Sequence, residues 1–149
     1  MAVDADAEAA SDFTFGLRQC HASGDASPVI RSVGPRTTVG SGFEYLGALV
    51  RTYAPSDADV PIVSVAGFPP PAGPSMRAPE DVAGYVVATP CDASPADRYT
   101  ELLIGLRRVG SEGGGWDGIL VTYEADGRAY VLEIERGMYI CGTAHNVCD

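Results

Sequence analysis

The stretch GILVTYEADGRAYVLEIE, residues 118–135, constrains the fold more than any other part of the chain. At its centre, Asp126-Gly127 supplies the two residues with positive φ that a type I′ turn needs. A two-residue loop makes Ala125 face Arg128 and sets the register of every other pair. Three apolar pairs then share one face of the hairpin: Tyr123 with Tyr130, Val121 with Leu132, and Ile119 with Ile134. The sequence therefore predicts an antiparallel hairpin that buries this face, since a slip of one residue would turn the tyrosines into water.

Most of the remaining chain has the pattern of short strands separated by Gly and Pro turns. Phe13, Phe15 and Leu17 alternate with Thr14 and Gly16, which is typical of a half-buried strand. Further strands are predicted at 27–33, 43–54, 61–67, 82–90 and 138–141. The proline-rich segment 68–81 predicts an extended connection, because proline lacks the N–H that a central strand must donate.

The segment SPADRYTELLIGLRRVG, at 94–110, fits two structures. As a helix, it has Ser94 as its cap and Pro95 at its first position, with an apolar face formed by Tyr99, Leu102, Leu103 and Leu106. As a strand, it would place Leu102, Ile104 and Leu106 on one face. The local pattern favours the helix, whereas the rhythm of the neighbouring segments favours the strand, which we adopt.

These elements predict an all-β fold, an antiparallel immunoglobulin-like β-sandwich of about seven or eight strands. The alternative is an α+β fold with one helix at about 95–109. The length of 149 residues fits one domain, which we place at 12–149. Residues 1–11 are rich in Ala and Asp without periodicity and predict a disordered lead-in or linker.

Charge and hydropathy exclude several classes of partner. The net charge is −10 and every basic residue is Arg, so nucleic acid is not an expected partner, because phosphate binding needs a basic face. No stretch approaches the roughly 18 apolar residues of a transmembrane helix. The acidic N-terminus does not resemble a signal peptide, which leaves either a cytosolic protein or one whose export signal or anchor was removed.

The cysteines favour the second explanation. An even number of them, in a small Gly- and Pro-rich chain without a CxxC pair, is typical of disulfides in an oxidising compartment. The four residues are Cys20, Cys91, Cys141 and Cys148. Three pairings exist, and we predict Cys91–Cys141, which would tie the start of the segment after residue 90 to the end of the hairpin, and Cys20–Cys148, which would tie the two chain ends together. Chain-entropy values of roughly 4 and 5 kcal/mol rank the benefit of these loops but do not decide the connectivity. An extracellular or cell-surface location follows.

The C-terminal run CGTAHNVC resembles the copper loops of cupredoxins, which place a Cys, a His and a Met on one turn. That resemblance implies Cys141 and His145 as ligands of a copper-binding protein, with Cys148 at the Met position and His21 as the second histidine. A strand conformation would separate Cys141 from His145 by about 13 Å, too far for one metal. We therefore favour disulfides, and predict neither a metal nor another cofactor.

Signals of catalysis are few. The sequence holds no HExxH motif, no phosphate-binding loop and no nucleophile elbow, so an unrecognised hydrolase with a cleft of scattered carboxylates stays only as an alternative. Trp116 follows Gly113-Gly114-Gly115 in a predicted loop, where it is either a candidate surface contact for a binding partner or a side chain that folds back to cap the core.

A weaker resemblance covers residues 82–141. The segments GYVVATPC, YTELLIGLRRVG and GILVTYEADGRAYVL look like the extracellular portions of actinobacterial secreted or membrane-anchored proteins. The resemblance implies an immunoglobulin-like sandwich outside the cell and carries no catalytic residues. We therefore expect an extracellular, non-enzymatic domain that acts in binding, to an unidentified protein or envelope component, or in interaction with the cell envelope.

Overall fold

The computed structural model of the protein describes residues 2–3, 11–24, 26–53, 64–71, 77–93 and 98–142. Within these ranges the chain is all-β and forms no helix. Twelve strands lie in the described part, more than the seven or eight expected, because several are two or three residues long. They are β1 Ala2–Val3, β2 Asp12–Gln19, β3 Val29–Pro35, β4 Thr38–Gly40, β5 Phe43–Tyr53, β6 Ser64–Ala66, β7 Glu80–Asp81, β8 Tyr99–Arg108, β9 Gly114–Trp116, β10 Ile119–Ala125, β11 Arg128–Ile134 and β12 Met138–Ile140.

The described strands form three sheets. The largest has the order β6-β2-β8-β5-β7, the second β1-β12-β9-β4, and the third β11-β10-β3. All neighbours are antiparallel except β1 and β12, which are parallel. Ala2 and Val3 pair with β12, and the rest of the predicted lead-in up to residue 10 lies outside the described ranges.

Strand β8 is the centre of the largest sheet, and the helix predicted as the alternative at 95–109 is wrong. Strands β2 and β5 pair with β8 along nearly its whole length. Leu102, Ile104 and Leu106 lie in the core, as the strand interpretation predicts. Leu103 is also buried, on the opposite face, so the apolar residues that mimic a helical face here serve a strand covered on both sides.

The proline-rich connection covers part of that opposite face. The Thr14 hydroxyl donates a hydrogen bond to the Gly67 carbonyl oxygen at 2.5 Å. The ring of Phe68 lies so close to Gly105 that a Cβ there would come within 2.5 Å of a ring carbon. Gly105, which weakens either local interpretation of its segment, is therefore explained by a close contact with a distant part of the chain.

The main core lies where the three sheets meet. It joins side chains from β2, β5 and β8 to side chains from β3, β9, β10 and β12, with Val82 and Val87 from the connection before β8. Tyr45 ties two of the sheets together, because its hydroxyl donates a 2.8 Å hydrogen bond to the Val33 carbonyl oxygen. Burial raises the pKa of Tyr45 to about 12.

The hairpin register is confirmed residue by residue, from Ala125 opposite Arg128 to Ile119 opposite Ile134. Asp126 and Gly127 both have positive φ, 51° and 70°, as a type I′ turn requires. Burial of the whole apolar face is not confirmed. Ile119 and Val121 on β10 are buried, but Tyr130 and Leu132 on β11 are 42% and 45% exposed.

The predicted strand at 82–90 is wrong. Gly84, with φ of 85°, turns the chain, and residues 82–87 fold around the start of β3. The Ile30 N–H donates to the Tyr85 carbonyl and the Gly84 N–H donates to the Ile30 carbonyl, both at 2.8 Å. Of the strand predicted at 61–67, the structure forms Ser64–Ala66, and residues 61–63 lie outside the described ranges. No described segment is a helix of the length and apolarity that a membrane crossing requires.

Candidate functional site

A groove lies beside the apolar face of the hairpin. Val121 and Tyr123 on β10, and Tyr130 and Leu132 on β11, form one wall of it. The rings of Tyr123 and Tyr130 stack with their centroids 5.4 Å apart and an interplanar angle of 18°. The alternation that the sequence shows thus produces an aromatic wall, part of which remains in contact with solvent.

The opposite wall comes from the end of β2, where a disulfide joins Cys20 to Cys91. The two Cα atoms are 4.9 Å apart, and 71 residues separate the cysteines in sequence. Backbone hydrogen bonds hold the two segments together: the His21 N–H donates to the Thr89 carbonyl at 3.2 Å, and the Cys91 N–H donates to the His21 carbonyl at 2.8 Å.

The predicted pairings Cys91–Cys141 and Cys20–Cys148 are therefore wrong. Loop entropy measures how strongly a given bond would restrict the unfolded chain. It does not choose partners, which are set by the adjacency of the two backbone segments in the fold. Cys141 is also disulfide-bonded, and Cys148 lies outside the described residues. Bonded cysteines favour an oxidising, non-reducing compartment.

The floor of the groove is apolar and connects with the core. Ile30, Val87 and Val121 line it and are buried. The cavity volume is about 440 Å³, within the range of about 300–1,000 Å³ that small-molecule sites occupy. Its size therefore suits a ring or a short side chain rather than a large ligand.

The polar groups of the groove are few and lie at its rim. Gln19 and His21 come from the end of β2, and Asp126 comes from the hairpin turn. No arginine lines the groove, and Asp126 is the acidic residue among the lining residues. The arrangement therefore suits a ligand with an apolar body and a positively charged or hydrogen-bond-donating end, rather than an anion.

The hydrogen bonds beside the groove do not form a nucleophile–base pair. The Ser23 hydroxyl donates to the carboxylate of Asp92. The Nδ1 atom of His21 lies 2.9 Å from the Ala22 carbonyl oxygen, and its Nε2 atom lies 3.4 Å from that of Ala88. A serine nucleophile needs its hydroxyl to donate to the histidine, so this arrangement serves positioning better than catalysis.

The residues of the copper interpretation do not meet within the described part of the chain. His21 is at the groove, whereas Cys141 follows β12, and as a half-cystine it lacks the thiolate that copper binding needs. His145 and Cys148 lie outside the described residues. Among the described residues, no group of three or more His, Cys, Asp or Glu side chains is placed to hold a metal ion.

Trp116 is not a surface contact. Its side chain is fully buried and meets Phe43 and Tyr45 edge-on, with ring centroids 5.7 and 5.8 Å away. The preceding glycines explain the burial, because a Cβ on Gly115 would lie 1.9 Å from the Met138 carbonyl oxygen. Only glycine permits this close approach of β9 to β12, and the approach places the Trp116 indole in the core.

The sequence did not predict the groove, the role of Tyr130 and Leu132 as part of its wall, or the lining residue Gln19. One signal was present, since the hairpin pattern marks Tyr130 and Leu132 as members of an apolar face. The second wall of the groove could not be predicted, because it is formed by a segment about a hundred residues earlier in the chain. Comparison with protein-family models, with curated proteins and with solved structures finds no match for this chain.

Proposed function

We propose that the protein is an extracellular, non-enzymatic binding domain with an immunoglobulin-like sandwich architecture, whose ligand occupies the groove beside the hairpin. The observation that carries the proposal is the stacked pair Tyr123–Tyr130, which forms an exposed aromatic wall over an otherwise buried apolar floor. Tyr130 and Leu132 keep apolar surface in contact with water next to that floor. Exposed apolar surface of this kind, bordered by polar groups, is typical of binding sites.

The ligand class follows from the rim. Asp126 carries a carboxylate at the mouth of the groove, and the tyrosine faces attract cations through their ring electrons. The lining residues include no arginine. The proposed ligand is therefore a small apolar or aromatic group with a cationic end, which a protein or envelope component of the cell surface could present.

The location follows from the cysteines. The Cys20–Cys91 disulfide supports an oxidising setting, and its half-cystine Cys20 lines the groove. The same bond supports both the extracellular location and the proposed binding site, because it fixes the wall of the groove that faces the hairpin. The resemblance to actinobacterial exported proteins supports the same location.

Binding can be tested by nuclear magnetic resonance titration with three aromatic probes that differ in charge. Phenethylammonium is expected to bind more tightly than phenethyl alcohol, and phenylacetate least. The resonances of Tyr123, Tyr130 and Leu132 are expected to shift. Equal binding of the anion and the cation, or shifts elsewhere only, would contradict the proposed ligand class.

Two variants locate the contact. Asp126→Asn keeps the turn, because Asn-Gly also favours type I′ geometry, and removes the carboxylate. It is expected to weaken cation binding about tenfold, or roughly 1.4 kcal/mol, whereas Glu112→Gln, at another exposed carboxylate, leaves it unchanged. Tyr130→Ala is expected to weaken binding of all the probes, whereas Val131→Ala, on the other face of β11, does not.

A further inference from the structure

The outer edge of β11 is open. In the sheet order β11-β10-β3, β11 stands at one end and pairs with β10 on its other side only. No described strand occupies its outer side, and Val131 at its middle is 64% exposed. Within the described part of the chain, one side of this seven-residue strand therefore has no strand to pair with.

The centre of this edge lacks the usual protection. Natural edge strands are shielded by charges, prolines or bulges, which prevent pairing with another chain. Charged residues stand only toward the ends of β11, at Arg128 and Glu133. Between them Tyr130, Val131 and Leu132 form an exposed apolar run without a bulge in the β10–β11 register.

The turn decides which backbone groups point outward. In a two-residue hairpin the residues that flank the loop, here Ala125 and Arg128, form a hydrogen-bonded pair. Because hydrogen-bonded pairs alternate along an antiparallel ladder, the even-numbered residues of β11 bond to β10. Ala129, Val131 and Glu133 then direct their N–H and C=O groups to the open edge.

From this edge we infer that β11 pairs antiparallel with β11 of a second copy of the chain, about a twofold axis through Val131. In that register Val131 lies opposite Val131 of the second copy, and Ala129 lies opposite Glu133. On the other face, Tyr130 lies opposite Leu132 of the second copy. The most exposed apolar residues of β11 thus bury one another, and each odd-numbered pair exchanges two backbone hydrogen bonds.

Charge complementarity selects this register. Asp126 lies in the turn before β11 and Arg136 lies beyond its last residue, and antiparallel pairing brings the end near Asp126 of one copy to the end near Arg136 of the other. A shift of two residues one way would place Arg128 against Arg136 and Val131 against Glu133. The opposite shift would place Leu132 against Arg128. Of the three registers, only the central one places Val131 against Val131, with Glu133 opposite the small side chain of Ala129.

The acidic residue near the axis does not oppose this pairing. The Glu133 carboxylate is held in an ion pair with Arg36, which reaches it from the end of β3. The net charge of −10 on each copy does oppose association at long range. At physiological ionic strength, charges more than about 8 Å apart are largely screened, so the contact at the strand edge determines the outcome.

The pairing would join the two three-stranded sheets into one continuous sheet, an isologous arrangement. Because the axis is perpendicular to the sheet, the two grooves would open on the same side. The second copy's Leu132 would come beside Tyr130 between them. Self-association does not depend on the proposed ligand, so failure of either proposal leaves the other standing.

Sedimentation velocity of the full chain at several concentrations tests the pairing. The wild type is expected to show a concentration-dependent monomer–dimer equilibrium. Val131→Lys would bring two like charges together at the axis and is expected to raise the dimer dissociation constant at least tenfold, about 1.4 kcal/mol. The matched control is Val39→Lys, at an exposed valine on the edge strand β4 of another sheet, which should leave the constant unchanged.

A second variant tests the backbone ladder itself. Val131→Pro removes an N–H that points to the open edge, so it should abolish the dimer while the near-ultraviolet circular dichroism of the monomer persists. In the wild type, hydrogen exchange at Ala129, Val131 and Glu133 should slow as concentration rises. A monomer at every concentration, an equal effect of both lysine variants, or a monomer that takes up an unrelated extended peptide along β11 would overturn the inference.

Discussion

The buried ion pair between β5 and β8 offers the sharpest test of how burial sets the energy of a charge pair in this fold. The Nε atom of Arg51 lies 2.6 Å from Oε2 of Glu101, and the two residues face each other directly across the strands. Both side chains are only 1% exposed. Glu101→Gln keeps the shape of the side chain but removes its charge, so the buried guanidinium of Arg51 loses the attraction of this carboxylate.

The expected cost follows from that burial. Breaking a buried ion pair by removing one charge costs about 3–5 kcal/mol, because the remaining charge stays desolvated. Glutamine can still accept a hydrogen bond through its amide oxygen, so we expect the lower end of this range, about 3 kcal/mol. Natural domains have unfolding free energies of about 5–15 kcal/mol, so the loss would be a large fraction of the total.

A second ion pair with the same separation supplies the control. The Nη2 atom of Arg31 also lies 2.6 Å from a carboxylate oxygen, Oε2 of Glu124, but these side chains are 50% and 40% exposed. Exposed pairs contribute about 0–1 kcal/mol, since water solvates both charges when the pair breaks. Glu124→Gln should therefore cost at most about 1 kcal/mol.

Urea unfolding followed by the fluorescence of Trp116, which is the single and fully buried tryptophan, measures both variants. With a slope of about 2 kcal/mol per molar urea, a loss of about 3 kcal/mol lowers the midpoint by roughly 1.5 M. Equal losses for Glu101→Gln and Glu124→Gln would refute the reasoning. The double variant Arg51→Met with Glu101→Leu should recover most of the stability, because it removes both charges of this buried pair.

Two further predictions concern the disulfide and the buried phenol. Replacing Cys20 and Cys91 together by Ala should lower the free energy of unfolding by about 4 kcal/mol, which is the chain-entropy value for a loop of this length. Urea unfolding without reductant measures the loss. An unchanged midpoint would contradict the pairing. Tyr45→Phe should cost about 1 kcal/mol at neutral pH through its lost hydrogen bond. The pKa of Tyr45 is about 12 in the folded protein, against 10 in the unfolded chain. Because the unfolded chain loses this proton first, the free energy of unfolding of the wild type should fall as pH rises from 10 to about 12. The Phe variant should lack that part of the decline; identical pH profiles would count against this assignment.

The hairpin could be predicted from local sequence signals. Its turn chemistry and two-residue alternation act over a few residues, so the register of β10 and β11 could be derived without knowledge of the rest of the fold. The strand Phe43–Tyr53 follows in the same way from its aromatic and β-branched content between Gly and Pro boundaries. These elements depend on interactions between neighbours in sequence, which a sequence displays directly.

Other features depend on partners that are distant in sequence. Whether 99–108 became helix or strand was decided by pairing with β2 and β5, since its local pattern supported both. The burial of Trp116 depends on a close approach of β9 to β12. The disulfide partner of Cys20 depends on backbone hydrogen bonds between residues 21 and 89–91.

The candidate site combines both kinds of information. Alternation and turn geometry leave one register, so the side chains of the hairpin that share a face can be assigned without knowledge of the fold. Packing against distant segments then places Val121 from that face in the core and leaves Tyr130 and Leu132 lining an open groove. The physical reason is that burial depends on what packs against a face, and the wall opposite Tyr130 comes from the far end of the chain.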